Sequence, residues 1–148
     1  MIEVCFYDKI DDSLLKFAVI AAKTEKGFVY CKHKDRGTYE IPGGHREAGE
    51  DILATAKREL YEETGAIDFD IMPVCVYSVK GTDNTITQQE ETFGMLYYAE
   101  VRDFVVLPDY EMEEIVFLHQ NPDRWTYPQI QPILNDKIRE FIEIYHKN

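Results

Sequence analysis

The sequence predicts an α/β protein in which a mixed β-sheet carries helices on both sides. Strand-like apolar runs dominate the middle of the chain, and helical patterns occupy about Asp51 to Thr64 and the stretch after Pro132. The two kinds of segment alternate too irregularly for a doubly wound parallel sheet. The 148 residues suit one ordinary domain, 1–148, which buries roughly 70% of the surface its unfolded chain exposes. No internal repeat and no Pro/Ser-rich linker divides it.

Leu14 to Ala22 and Phe28 to Lys32 are rich in apolar, β-branched and aromatic residues, with a turn at Glu25-Lys26-Gly27, so they read as a hairpin. The first helix follows, with acids where it opens and Gly65 as its C-terminal stop. Further strands are expected at Ile71 to Val79, Thr92 to Val101 and Ile115 to Leu118, with Gly81-Thr82-Asp83-Asn84 as a loop between the first two. In the last helix Ile133, Leu134, Ile138, Phe141, Ile142 and Tyr145 recur at helical spacing, a stripe expected to cover one face of the sheet.

Sixteen basic and 28 acidic side chains give a formal net charge of -12, which repels duplex nucleic acid. A small phosphate ester stays compatible with that charge, because cations held by carboxylates supply what the side chains lack. The longest strongly apolar run, Phe17 to Ala22, is too short to span a bilayer, and Met1 to Asp8 lacks the basic flank of a leader. No membrane partner and a cytoplasmic location are expected. Cys5, Cys31 and Cys75 are odd in number and widely spaced, which suits reduced thiols. A homodimer is compatible with all of this.

The chemistry concentrates in Gly43-Gly44-His45-Arg46-Glu47-Ala48-Gly49-Glu50 and, seven residues on, Arg58-Glu59-Leu60-Tyr61-Glu62-Glu63-Thr64-Gly65. At about 100° per helical residue, Glu59, Glu62 and Glu63 share one arc. None has a Lys or Arg four residues later to relieve the repulsion. The same wheel sets Ile52, Leu53, Ala56 and Leu60 beside them, so the charges lie at the edge of a buried face, where unpaired carboxylates are costly. Clustered oxygen donors of this kind favour Mg²⁺ or Mn²⁺. Pro42-Gly43-Gly44 gives a tight turn whose backbone can approach a ligand, and Arg58 can pin a neighbouring carboxylate.

From Gly44 to Ala66 the chain resembles the Nudix box, G-x(5)-E-x(7)-R-E-U-x-E-E-x-G-U with U a bulky aliphatic residue. Every glycine, glutamate and arginine of the pattern is present. Ala66 at the last U position is the departure, and Ile67 is expected to fill its space. The resemblance implies the Nudix fold, an α/β/α sandwich around a mixed sheet, and metal-dependent hydrolysis of a nucleoside diphosphate linked to another moiety. Carried over residue by residue, it implies Glu59, Glu62, Glu63 and the Gly44 carbonyl as metal ligands, Arg58 as their orienter and Glu50 as support.

Glu59 and Glu62 are then candidates to take a proton in catalysis. Some family members use a loop glutamate instead. Among Glu111, Glu113 and Glu114, the register of Ile115-Val116-Phe117-Leu118 favours Glu114 as base and further metal ligand; the alternative is a solvated acidic loop. Glu90 and Glu91 are either rivals for that role or an exposed strand end. Arg36 is placed to reach a phosphate or to pair with Glu40. Phe93, Tyr97, Trp125 and Tyr127 are candidates to line a base pocket, and Trp125 and Tyr127 could equally seal the core under the last helix. Cys31 and His33 are better explained by packing than by metal binding.

The expected activity is pyrophosphohydrolysis of a nucleoside triphosphate or related, damaged or surplus nucleotide, as in MutT-like members. Two alternatives stand beside it: removal of pyrophosphate from an RNA 5′-triphosphate end, and a ligand sensor without turnover.

Overall fold

The computed structural model describes residues 2–33, 35–83, 86–106 and 112–147. In chain order the elements are β1 (Ile2–Tyr7), a short 3-10 turn (Asp12–Leu14), β2 (Leu15–Thr24), β3 (Gly27–His33), β4 (Tyr39–Glu40), β5 (Gly43–His45), α1 (Ile52–Thr64), β6 (Ala66–Asp83), β7 (Ile86–Phe104), β8 (Met112–Leu118) and α2 (Gln131–Lys147). The sheet runs β1-β6-β7-β2-β3-β4, with β5 added to β2 and β8 to β3. The β2–β7 pair is parallel and the other pairs are antiparallel, which makes the sheet mixed, as expected.

Strand β2 shows why the sequence reads as it does. Ala18, Ile20 and Ala22 face a core beneath α1, whereas Val19 and Ala21 face a second core beneath α2. A strand covered on both faces needs a continuous apolar run. Helix α1 closes its core with Ala56 and Leu60, and α2 closes the other with Leu134 and Ile138. The hairpin expected at the start is formed by Lys23↔Phe28 and Thr24↔Gly27.

β6 and β7 extend well beyond the strands expected at Ile71 to Val79 and Thr92 to Val101. They form one long hairpin from Ala66↔Phe104 to Asp83↔Ile86, kept paired through several register shifts. β1, β4 and β5 lie outside the sequence-based expectation. β1 pairs with β6 as a half-covered edge, and β4 and β5 are two and three residues long, so none has enough alternation to register as a pattern. No helix among the described residues is long and apolar enough to cross a membrane. The three cysteines are free thiols.

Candidate active site

Helix α1 presents the carboxylates, and its ends are set locally. The Asp51 side chain accepts from Ala54 N at 2.8 Å, capping the first turn from outside the helix, and Gly65 stops the helix in the left-handed region at φ 82°. The buried stripe is Thr55, Ala56 and Leu60 with Ile52 packed beside it, whereas Leu53 is exposed, one position off the expected wheel. The expectation for Ile67 is likewise corrected. Ala66 itself is buried in the core beneath α1 and Ile67 is 48% exposed, because strand alternation turns only one of two neighbours inward.

Arg58 organises the acidic side chains. Its Nε donates to Glu50 Oε2 at 2.6 Å and its Nη2 to Glu50 Oε1 at 3.1 Å and to the His45 carbonyl at 2.9 Å. One atom, Nη1, donates to Glu59 Oε1 at 2.7 Å and to Glu62 Oε1 at 2.8 Å. Glu47 lies 3.4 Å from the same nitrogen. The repulsion that the sequence left without a partner downstream is therefore relieved from upstream, with Arg58 four residues before Glu62. The Arg58 guanidinium, then the Glu47 amide, hold Glu50 down to about 2. Glu59 moves the other way, because burial raises it more than Arg58 lowers it.

Glu63 turns to the loop before the helix, where its Oε1 accepts from Gly43 N at 2.8 Å. Gly44 is next along β5, and a Cβ there would lie 2.2 Å from Glu59 Cδ. Only a glycine lets this backbone lie against that carboxylate. Beneath them Cys31 is fully buried, its thiol pushed up by burial and then by Glu63, Glu40 and Glu59 nearby. It is a packed neutral thiol, in keeping with the packing role expected for it.

Carboxylates and a backbone carbonyl are the donor chemistry of a hard divalent cation, and the missing Cβ at Gly44 keeps the approach open, so these residues fit Mg²⁺ or Mn²⁺. They are not gathered into a cage. Among the described residues no group of three or more His, Cys, Asp or Glu is placed to hold an ion. Arg58 draws Glu59 and Glu62 to itself, while the Gly43 amide draws Glu63.

On the other face of the sheet a cavity of ≈ 420 Å³ opens beside Gly43 and Gly44. Phe17, Tyr77, Tyr127, Val19 and Leu134 supply apolar and aromatic wall, Gln131 and Glu40 are polar lining groups, and among the described residues no Lys or Arg lines it. The Gln131 amide is fixed by its Oε1, which accepts from Ile41 N at 2.8 Å. Phe17 lies across its β7 neighbour Gly94, where a Cβ would stand 2.2 Å from its ring, so that ring position depends on glycine. Burial, then the neighbouring Tyr127, pushes the Tyr77 hydroxyl far up, which keeps it neutral.

Of the residues expected to line a base pocket, Tyr127 lines this cavity. Tyr97 is 3% exposed in the core beneath α1, and Phe93, four residues earlier on the same strand, shares that face and packs on Tyr7 at 5.8 Å. Trp125 packs edge-on against Tyr30 at 5.7 Å in the core beneath α2, the sealing role that was its alternative. Phe17 and Tyr77 take the places expected of Phe93 and Tyr97. Which face each strand position takes is decided only by the register of the assembled sheet.

The acidic candidates outside the box also separate. Glu114 sits opposite Lys32 across β3 and β8, its Oε1 3.5 Å from Nζ. Ile115 and Phe117 pack beneath α1 and Val116 and Leu118 beneath α2, so alternation sends Glu114 away from α1. The structure does not join it to the box carboxylates. Glu111 and the side chain of Glu113 lie outside the described residues. Glu91 accepts from Tyr7 Oη at 2.6 Å and from Ser78 Oγ at 2.5 Å, which ties down a strand end. Glu90 is exposed on β7, and Arg36 stands exposed on the turn before β4, outside the cavity lining.

Comparison with known proteins bears on the family and the fold. The Bacillus subtilis (strain 168) protein YtkD, whose name gives it as a candidate 8-oxo-dGTP diphosphatase, is 32% identical over 97 residues, which cover 65% of this chain and 57% of that protein. The match thus spans little over half of that relative's length. The Bacillus subtilis pyrophosphohydrolase BsRppH, crystallised as a point mutant, superposes with a TM-score of 0.75 at 22% identity, covering 94% of this chain and 90% of that one. The C. elegans Ap4A hydrolase gives a TM-score of 0.60 at 17% identity, over 87% and 98% of the two chains. At such identities these structures speak for the fold alone. The NUDIX domain family model matches residues 14–136, a span that holds the β2–β7 core, the box and the start of α2, and the chain belongs to that family.

Proposed function

We propose that the chain is a divalent-cation-dependent pyrophosphohydrolase that cleaves the diphosphate linkage of a nucleoside triphosphate or a related nucleotide. One observation carries this reading: a single guanidinium nitrogen holds Glu59 and Glu62 side by side, with Glu59 against the backbone of Gly44, and that same glycine lines the aromatic cavity on the other face of the sheet. The carboxylates of α1 supply attachment for positive charge, and the mostly apolar cavity accepts an aromatic base.

Glu59, Glu62, Glu63 and the Gly44 carbonyl would hold the cation. When bound, Mg²⁺ neutralises diphosphate oxygens and lowers the pKa of the attacking water. Arg58 orients Glu59 and Glu62, and Glu50 holds Arg58 from behind. Glu59 and Glu62 are the box candidates to take the proton, both held in place by Arg58. Phe17, Tyr77 and Tyr127 flank the base, and Gln131, its oxygen engaged by Ile41, offers its amide nitrogen to a polar edge.

The test is a panel of nucleoside triphosphates, oxidised and standard, assayed with Mg²⁺ and with products identified after reaction in ¹⁸O-water. Release of a monophosphate and pyrophosphate is expected. Turnover confined to dinucleoside polyphosphates or sugar nucleotides would reject the substrate class, and a 5′-triphosphate RNA preferred over GTP would transfer the assignment to RNA ends. Absence of turnover with every member would leave a ligand sensor.

A further inference from the structure

Arg46 is the arginine of the box loop ahead of α1, and its charge there invites a phosphate-binding role. Its donors are engaged elsewhere. Nε donates to the Glu50 carbonyl at 2.7 Å, Nη1 to the carbonyls of Asp12 at 2.9 Å and Leu15 at 3.2 Å, and Nη2 to Asp12 Oδ2 at 2.8 Å. Its backbone amide donates to the Lys16 carbonyl at 2.8 Å. One fork therefore ties the 3-10 turn and the entrance of β2 to the last residue of the box loop.

Glu50 is where this connection meets the carboxylates. Its side chain accepts from Arg58, from Thr55 Oγ1 at 2.8 Å and from the Glu47 amide at 3.0 Å. Arg58 continues to Glu59 and Glu62. The intervening Glu47, Ala48 and Gly49 are not buried, so hydrogen bonds and not core packing set the path of this loop.

We propose that Arg46 and Asp12 are positioning residues, a clamp from the N-terminal turn that fixes Glu50 so that Glu50 can fix Arg58 and, through it, the orientation of Glu59 and Glu62. The proposal rests on the reading of those glutamates as cation ligands.

The experiment is a calorimetric Mn²⁺ titration, the metal alone, of the full chain and of Arg46→Ala, Glu50→Gln and their combination. Arg46→Ala is expected to weaken Mn²⁺ about tenfold, the scale of a lost supporting contact. In the Glu50→Gln background the same substitution should add almost nothing, because its route to the helix is already cut. With a hydrolysed nucleotide, kcat should fall in step while KM for the nucleotide holds.

Unchanged Mn²⁺ affinity in Arg46→Ala overturns the proposal, and so does full additivity with Glu50→Gln, which marks general loosening. If Arg46→Ala does not fold, Asp12→Ala removes only the Nη2 contact at an exposed carboxylate. It should give a smaller weakening that again disappears with Glu50→Gln; no weakening overturns the clamp. An unmutated chain that ignores millimolar Mn²⁺ sinks the functional reading first and the clamp with it, a failure distinct from that of any variant.

Discussion

The two faces of the central sheet solve different problems. At the rim beside α1, Arg58 joins Glu50, Glu59 and Glu62, partners that all lie within eight residues of it. On the α2 face the cavity is assembled from Phe17, Tyr77 and Gln131, strung far apart along the chain on two strands and a helix end. The first region is charged and short-range; the second is mostly apolar and exists only once the fold has closed. On the proposed function the first carries the chemistry and the second the recognition, and substitutions in the two regions should divide between kcat and KM.

The largest expected effect tests the charged side. Glu62→Gln keeps shape and removes a negative charge from the proposed ligand set, so kcat should fall about a hundredfold or more, a loss of several kcal/mol in transition-state stabilisation. Because Arg58 already relieves Glu62, the melting temperature should stay nearly level. Steady-state kinetics with thermal melts checks both, and wild-type kcat in this variant breaks the division at once.

Gly44→Ala should come next. Its new Cβ would fall 2.3 Å from Glu59 Oε2, so the carboxylate has to shift, and a displacement of about 1 Å in such a group costs up to roughly a hundredfold. KM for the nucleotide should change little. A variant with both kcat and Mn²⁺ affinity intact would remove Glu59 from the proposed ligand set.

What can be read in advance follows the same division. The box, the helix bearing it and the Gly65 stop are legible because helical spacing and capping operate over a few residues. The mixed sheet with a helix on each side is legible from β2, whose unbroken apolar run demands cover on both faces. Arg58 as a hub for Glu50, Glu59 and Glu62 together is only half legible: its adjacency to Glu59 is plain, but the reach to Glu50 needs the loop closed. The cavity is where sequence reasoning fails. Phe93 and Tyr97 are aromatic but lie on the face away from the cavity, and Phe17 owes its place to Gly94, a residue more than seventy positions away. Gly94 opposite an aromatic is the available signal, but using it requires the β2–β7 register. The side of Glu114 is equally out of reach of the sequence, since one step along β8 exchanges the faces.

On the recognition side the predicted effect is smaller. Phe17→Leu keeps apolar volume and removes the aromatic face, so KM should rise roughly tenfold with kcat nearly unchanged, given about 1–3 kcal/mol for base stacking. The nearly volume-conserving change should cost less than about 1.5 kcal/mol in stability. A fall in kcat at constant KM would show that the cavity takes part in the chemistry and that the two regions are coupled.

The smallest effect concerns how acid reaches the charged side. The Glu50 carboxyl is held at about 2 in the folded chain against an ordinary 4.5, chiefly by the Arg58 guanidinium and then by the Glu47 amide. Its folded value is depressed, so its stabilising contribution is complete above pH 4.5 and drains away as the pH falls from there through about 2. Glu59, raised by burial, has the opposite sign: its protonation on acidification relieves a desolvated charge and favours the folded chain. Acid should therefore loosen the Glu50–Arg58 link while easing Glu59. Thermal melts between pH 5 and 2 should show Glu50→Gln less stable than the parent at pH 5 and converging with it at the acid end. Parallel curves would mean that Arg58 gains nothing from Glu50's charge, leaving Glu59 and Glu62 to hold the guanidinium on their own.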